Sequence, residues 1–142
     1  MSPIDALATA LAAEHAAIFG YGVAGAHLDK SGQNTARQAE AAHRVRRDAL
    51  LLRIAGAGAT PPPAAPAYAL PFAVTDRESA LSLAVALEER TGQAWRAAIA
   101  ATTGDERKLA LDALIDCAVR ATKWRVTARV DPATVTLPGV PD

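Results

Sequence analysis

The segment Glu40-Ala41-Ala42-His43 places a carboxylate and an imidazole one helical turn apart, in the middle of a long predicted helix. Downstream of this segment, Leu50 and Ile54 continue the same helical face at spacings of three and four residues. Arg47 falls on that face as well, so much of the face is polar. A helix whose inward stripe mixes apolar and charged residues predicts a helical bundle built around a polar centre.

The composition is typical of a single all-α domain that spans residues 1–142. A chain of 142 residues is long enough for one hydrophobic core and too short for two. Apolar residues make up 51% of the chain but aromatic residues only 4%, and the abundance of alanine favours closely packed helices over sheets. Lys plus Arg and Asp plus Glu both number 15, so no net charge would attract nucleic acid or an anionic membrane.

The first residues of the chain lack the pattern of a secretory signal. No basic residue precedes their apolar part, and Asp5 and Glu14 interrupt it. No stretch approaches the roughly 18 unbroken apolar residues of a membrane-spanning helix. We therefore expect a cytoplasmic protein with no membrane partner.

Four amphipathic helices account for most of the chain. They are predicted from Ser2 to about Leu28, from Asn34 or Thr35 to about Ala57, from Thr75 to about Gly104 and from about Asp105 to about Thr127. Glu14 falls in the buried stripe of the first helix and Glu88 in that of the third, whereas Glu89 faces outward. The predicted inward positions of the fourth helix include Leu111, Leu114 and Ile115, flanked by Asp112 and Asp116.

A proline-rich crossover, residues 58–75, joins the second and third helices. Its prolines exclude a helix, and at about 3.1 Å per residue it could reach about 55 Å, more than the roughly 37 Å length of a helix of some 25 residues. The side chains expected to pack on the helices are those of Tyr68, Leu70 and Phe72. The tail, residues 128–142, should be extended, with Val135 and Leu137 against the bundle. One long crossover between two helical pairs is the connectivity of ferritin-like bundles.

Four stretches of the sequence carry a resemblance to a known family. They are Glu14 to Gly22, Ala42 to Asp48, Pro66 to Phe72 and Ala110 to Leu114. Together they resemble the actinobacterial ferritin-like family called domain of unknown function 4439, over nearly the whole chain. The resemblance implies the ferritin-like four-helix fold, and the family itself implies no reaction.

The wider ferritin-like resemblance implies a carboxylate-bridged pair of iron or manganese ions. Such a site takes a Glu from each of two helices and a Glu-x-x-His motif from each of the other two. Glu14, Glu40, His43 and Glu88 match the contribution of three helices. The fourth helix departs from the pattern, because Ile115 stands where the second histidine would be.

The alternative to a metal site is a buried polar layer of paired charges. A turn centred near Lys30 would put Glu14 opposite Arg47 and about 10 Å from the level of Glu40, so that Glu14 would pair with Arg47. An earlier end of the first helix, near Gly25, would instead bring Glu40 to the same level along the bundle axis as Glu14. The other pairs expected in this layer join Asp116 or Glu88 to Arg44, Arg120 or His43.

Two hypotheses for the function follow. The first is an interaction or small-ligand-binding domain that has lost most of the metal constellation, without cofactor or enzymatic activity, and that forms a homodimer through its first two helices. The second is an oxidoreductase in which Glu14, Glu40, His43 and Glu88 hold iron or manganese. The missing histidine favours the first hypothesis. The candidate charge partners are Arg44, Arg47, Asp112 and Asp116.

Overall fold

The computed structural model describes residues 1–141, which form four α-helices and, within that range, no strand. The helices are α1 (Pro3–Gly25), α2 (Lys30–Gly56), α3 (Arg77–Ala101) and α4 (Gly104–Ala128). Helix α1 packs against α2 and α3, and α3 packs against α4. The predicted all-α four-helix bundle is confirmed.

The turn between α1 and α2 is shorter than predicted, and it follows the earlier end of α1, near Gly25, that the sequence analysis kept as the alternative. Helix α1 ends at Gly25, and Asp29 caps α2 in place of Asn34 or Thr35. The Asp29 carboxylate accepts a hydrogen bond from the backbone N–H of Gly32 at 2.7 Å. Aspartate is a strong N-cap because it satisfies a free N–H at the positive end of the helix dipole. The earlier turn changes which residues of α1 and α2 lie at the same level.

The long crossover between α2 and α3 contains no helix, as its prolines predict. The ring of Tyr68 packs on Phe19 of α1, with 5.8 Å between the ring centroids. Leu70 is partly buried against the core, whereas Phe72 remains 41% exposed. Two of the three side chains that were expected to pack on the helices therefore do so.

The inward face of α4 differs from the predicted one. Leu111 and Ile115, which were expected inside, are 46% and 53% exposed. The buried residues of this helix are instead Ala110, Ala113, Cys117, Ala121, Trp124 and Arg125. Apolar residues occupy two adjacent faces of α4, and the face with small side chains turns inward because it lets the helices approach closely.

Within residues 1–141, helix α1 is the one helix that is long and apolar enough to cross a membrane. In the bundle it is a core helix, since Leu7, Leu11 and Tyr21 are buried in the interior. Glu14 lies on the same buried face and is itself completely buried. A helix in the core of a bundle commonly has this length and apolar composition.

Candidate functional site

Three of the four predicted site residues meet in the centre of the bundle. Nδ1 of His43 lies 2.5 Å from Glu14 Oε2, and Nε2 lies 2.8 Å from Glu88 Oε1. All three side chains are 0 or 1% exposed. The early turn explains this meeting, because it brings Glu14 of α1 level with His43 of α2 rather than with a later residue.

Glu40 does not reach this cluster, and its assignment to the site is wrong. Its carboxylate lies at the edge of α2, where it accepts hydrogen bonds from Arg44, the shorter at 2.6 Å. The buried residues of α2 are Ala36, Ala39, His43, Arg46, Leu50 and Ile54. Glu40 lies just outside this stripe, where the carboxylate keeps contact with water and needs no buried partner.

Arg46, not the predicted Arg47, pairs with Glu14. Its Nε donates to Glu14 Oε1 at 2.8 Å, and its Nη1 donates to Asp116 Oδ2 at 2.7 Å. Arg47 instead pairs with its neighbour Asp48 near the surface. Because Arg46 is three residues after His43 and four before Leu50, its position in the buried stripe could have been found from the spacing.

Three aromatic side chains complete the layer with hydrogen-bond donors. Tyr21 donates its hydroxyl to Glu88 Oε1 at 2.6 Å, and Trp95 donates its indole N–H to Glu14 Oε1 at 2.7 Å. Trp124 in turn donates to the Tyr21 hydroxyl at 2.9 Å. These roles were not predicted, because a tyrosine or tryptophan in an apolar stripe of the sequence gives no sign of a polar partner.

The two carboxylates make His43 a cation. Burial alone would lower the pKa of His43, but the hydrogen bonds and charges of Glu14 and Glu88 raise that pKa to about 9. Burial alone would likewise raise the pKa of Glu14, yet His43 and Arg46 hold it below its usual value. With both ring nitrogens protonated, Nδ1 donates to Glu14, and Arg46 Nη2, 3.0 Å from Nδ1, is a neighbour and not a donor to it.

These pKa shifts predict how the stability of the bundle depends on pH. The raised pKa of His43 stabilises the fold fully below pH 6.5, and this contribution disappears as the pH rises to about 9. The lowered pKa of Glu14 contributes above pH 4.5 and is lost as the pH falls below that value. We expect the free energy of unfolding, measured with urea, to fall by roughly 3 kcal/mol between pH 6.5 and 9.

The variant His43→Gln is the control for this pH dependence. Glutamine cannot bind the extra proton, so most of the decrease between pH 6.5 and 9 should be absent from the variant. An equal decrease in both proteins would assign the pH dependence to another group.

The helix α4 residues of the predicted site lie apart from one another. Asp116 joins the edge of the layer, where it accepts hydrogen bonds from Arg46 and from Arg120 at 2.7 and 2.9 Å. Asp112 is on the outer surface and pairs with Lys108. Ile115, which stands where a second histidine was expected, faces outward.

The donor atoms of the cluster do not fit a carboxylate-bridged pair of metal ions. Both oxygens of Glu14 already accept hydrogen bonds, Oε1 from Arg46 and Trp95 and Oε2 from His43. A histidine ligand needs one nitrogen free for the metal, but both nitrogens of His43 face carboxylates. The Arg46 guanidinium adds a fixed positive charge where a divalent cation would have to bind.

One carboxylate oxygen differs from the others. Within residues 1–141, Glu88 Oε2 is the one buried side-chain oxygen or nitrogen without a hydrogen-bond partner. Glu88 also lines a cavity of about 480 Å³ between α3, α4 and the tail. Oε1 is turned toward Tyr21 and His43 in the core, and Oε2 has less than 1 Å² of surface accessible to water.

The walls of this cavity are mostly apolar. On the α4 side they include Leu114, Cys117, Ala118 and Ala121, and on the tail side Val135, Pro138 and Gly139. Burial and the charge of Glu88 raise the pKa of the Cys117 thiol, which is therefore neutral. The tail thus lies against the bundle, but the two side chains expected to pack there, Val135 and Leu137, are 48% and 60% exposed.

Comparisons with known proteins place the chain in a family. A crystal structure of a conserved hypothetical protein, rv2844, from Mycobacterium tuberculosis is 39% identical in sequence and has a TM-score of 0.86, over 88% of this chain and 96% of that one. No curated protein matches. The model of the family described as a domain of unknown function, DUF4439, matches residues 6–142. The chain therefore belongs to the DUF4439 family.

Proposed function

We propose that this protein is a metal-free bundle that binds a small apolar molecule in the cavity between α3, α4 and the tail. The cavity carries the proposal, because its volume of about 480 Å³ falls in the range of small-molecule sites. A mostly apolar wall with a few polar groups is the usual composition of such sites. The ion pairs of the polar layer hold the side of α3 that carries Glu88 in place.

The tail supports the proposal because specific contacts hold it over the groove. Arg96 of α3 donates to the backbone oxygen of Pro138 at 3.0 Å, and Arg125 of α4 donates to that of Ala133 at 3.2 Å. Gly139 has a positive φ of 78°, and a Cβ at this position would lie 2.9 Å from the Gly92 backbone oxygen. The glycine thus lets the tail touch α3 and close one wall of the cavity.

The test uses N-phenyl-naphthylamine, an uncharged probe whose fluorescence rises in apolar sites. We expect saturable binding to the wild-type protein and a loss of at least about tenfold in affinity for Ala118→Trp, which fills the cavity. The matched control is Ala41→Trp, because Ala41 is exposed on α2, remote from the cavity walls, and its replacement should leave binding unchanged. Equal binding by all three proteins would place the probe elsewhere and contradict the proposal.

The proposal that the bundle holds no metal rests on the polar layer, where the atoms of Glu14 and His43 that could bind a metal ion already pair with other side chains. In the competing hypothesis, Glu14, His43 and Glu88 would hold iron or manganese in an oxidoreductase. Metal analysis of protein purified without chelator tests both hypotheses. About one or two metal ions per chain, lost in His43→Ala, would contradict the proposal. The predicted homodimer and the cytoplasmic location remain predictions.

A further inference from the structure

Helix α4 carries an apolar stripe that the bundle leaves about half exposed. The members of this α4 stripe are Leu111, Ile115, Val119 and Val126, which are 46, 53, 46 and 62% exposed. At 3.6 residues per turn, their spacing puts them within about 80° of one another around the helix axis. They lie largely opposite the buried residues of α4. Single exposed apolar side chains are normal, but a row of them along about 22 Å of helix is typical of a contact surface.

Two opposite charges, Asp112 and Lys123, lie on one flank of the α4 stripe. They are eleven residues apart, which is close to three full turns, so both project on the same side of the helix. Both are exposed; Asp112 pairs with the neighbouring Lys108, whereas Lys123 takes part in none of the ion pairs within residues 1–141. The other ion pairs of this part of α4 are those of Arg120 with Asp116 and of Arg125 with Glu89.

These two charges favour an antiparallel pairing of two copies of α4. A homodimer interface is usually two-fold symmetric and uses the same surface of both chains. A two-fold axis midway between the two residues places Asp112 of each chain beside the partner's Lys123. The same axis places Ile115 beside the partner's Val119, so that apolar side chains meet in the middle. A parallel pairing would instead set like charges against each other, which is unfavourable.

Helices α1 and α2, through which the homodimer was predicted, expose less apolar surface. Their large exposed apolar side chains, within the described residues, are Val45 and Leu52, two turns apart on α2. Beside the α4 stripe, by contrast, Val119 lies at the edge of the cavity, and Val135 of the tail lines the same cavity and is 48% exposed. The apolar surface therefore continues from α4 onto the tail, which enlarges the area that a second copy can cover.

We propose that two copies of this chain associate through α4, antiparallel, with their α4 stripes in contact and an ion pair between Asp112 and the partner's Lys123 on each half of the interface. Specific interfaces bury at least about 1,000 Å² in total, and one helix pair of this length with the edge of the tail reaches the low end of that range. We therefore expect a dimer with a dissociation constant in the micromolar range. The inference does not depend on a ligand in the cavity.

Sedimentation equilibrium of the full chain without ligand tests the dimer. Over roughly 1 to 300 μM, the mass of the wild-type protein should rise from that of one chain towards that of two. Ile115→Glu should stay monomeric throughout, because it places two carboxylates near the centre of the contact. The matched control is Leu52→Glu, the same kind of change at an exposed apolar residue of α2, which should dimerise like the wild type. Circular dichroism checks that both variants are folded.

A charge exchange tests the orientation of the two helices. Lys123→Asp sets a carboxylate against the partner's Asp112 at both symmetric positions, so the dimer should dissociate at roughly tenfold higher concentration. Adding Asp112→Lys to the same chain brings opposite charges together again and should restore most of the affinity.

Three outcomes would overturn the proposal. The first is a wild-type protein that stays monomeric at every concentration. The second is a dimer that survives Ile115→Glu, which would place the interface on another face, such as that of α1 and α2. The third is a dimer that needs the α4 stripe but is not restored by the charge exchange, which would exclude the antiparallel arrangement. Since the readout is mass, the binding of N-phenyl-naphthylamine tests the proposed function separately.

Discussion

The variant His43→Ala should lower the free energy of unfolding by about 3–5 kcal/mol at pH 6, because it removes the buried cation between two buried carboxylates. Glu14 keeps Arg46 and Trp95 as partners, but Glu88 keeps only Tyr21. The space left by the imidazole adds to the loss. Urea denaturation followed by tryptophan fluorescence measures the effect, since Trp95 and Trp124 both donate hydrogen bonds within the layer.

The control for His43→Ala is Glu40→Ala, which changes the other polar residue of the Glu40-Ala41-Ala42-His43 segment. Glu40 pairs only with the exposed Arg44, so its loss should cost about 0–1 kcal/mol. Similar losses in the two variants would contradict the assignment of Glu40 to the surface. An effect of chelator on the wild-type stability would indicate instead that His43 acts through a metal.

The second large effect is expected for Arg46→Met, which keeps the length of the side chain but removes its charge. Glu14 would lose one of two buried cations and Asp116 one of its two partners. Removing one member of a buried ion pair typically costs about 3–5 kcal/mol, and the partly exposed Asp116 should account for little of it. Urea denaturation at pH 6 gives the value.

Arg47→Met is the matched control for Arg46→Met. It makes the same chemical change one residue away, where the arginine pairs with Asp48 near the surface, so we expect a loss of about 0–1 kcal/mol. A larger loss for Arg47→Met than for Arg46→Met would mean that Glu14 is paired as the sequence analysis predicted. Together the four variants map the buried face of α2.

Local patterns in the sequence were sufficient for much of the fold. The spacing of apolar residues correctly placed Glu14 and Glu88 inside and Glu89 outside. The prolines of the crossover excluded a helix between α2 and α3, because proline lacks an N–H and clashes with the preceding turn. Helix periodicity and proline geometry are local properties, and they can be read without knowledge of neighbouring helices.

The errors lie where two helices had to be aligned with one another. The later of the two turns considered put Glu14 opposite Arg47, whereas α1 ends at Gly25, and Arg46, on the buried stripe of α2, pairs with Glu14. In α4 the branched side chains of Leu111 and Ile115 were preferred for the core, but the adjacent face of small residues packs inward. A small error in the turn rotates or shifts a whole helix face relative to its partner.

The sequence by itself determined the number of helices, the long crossover and the burial of Glu14, His43 and Glu88, because these depend on residue spacing within each helix. The tertiary structure alone decided that Arg46 bridges Glu14 and Asp116, and that one oxygen of Glu88 is left without a hydrogen-bond partner. Partners across helices depend on the level and rotation of each helix against the others. Those are set by packing and capping over the whole bundle.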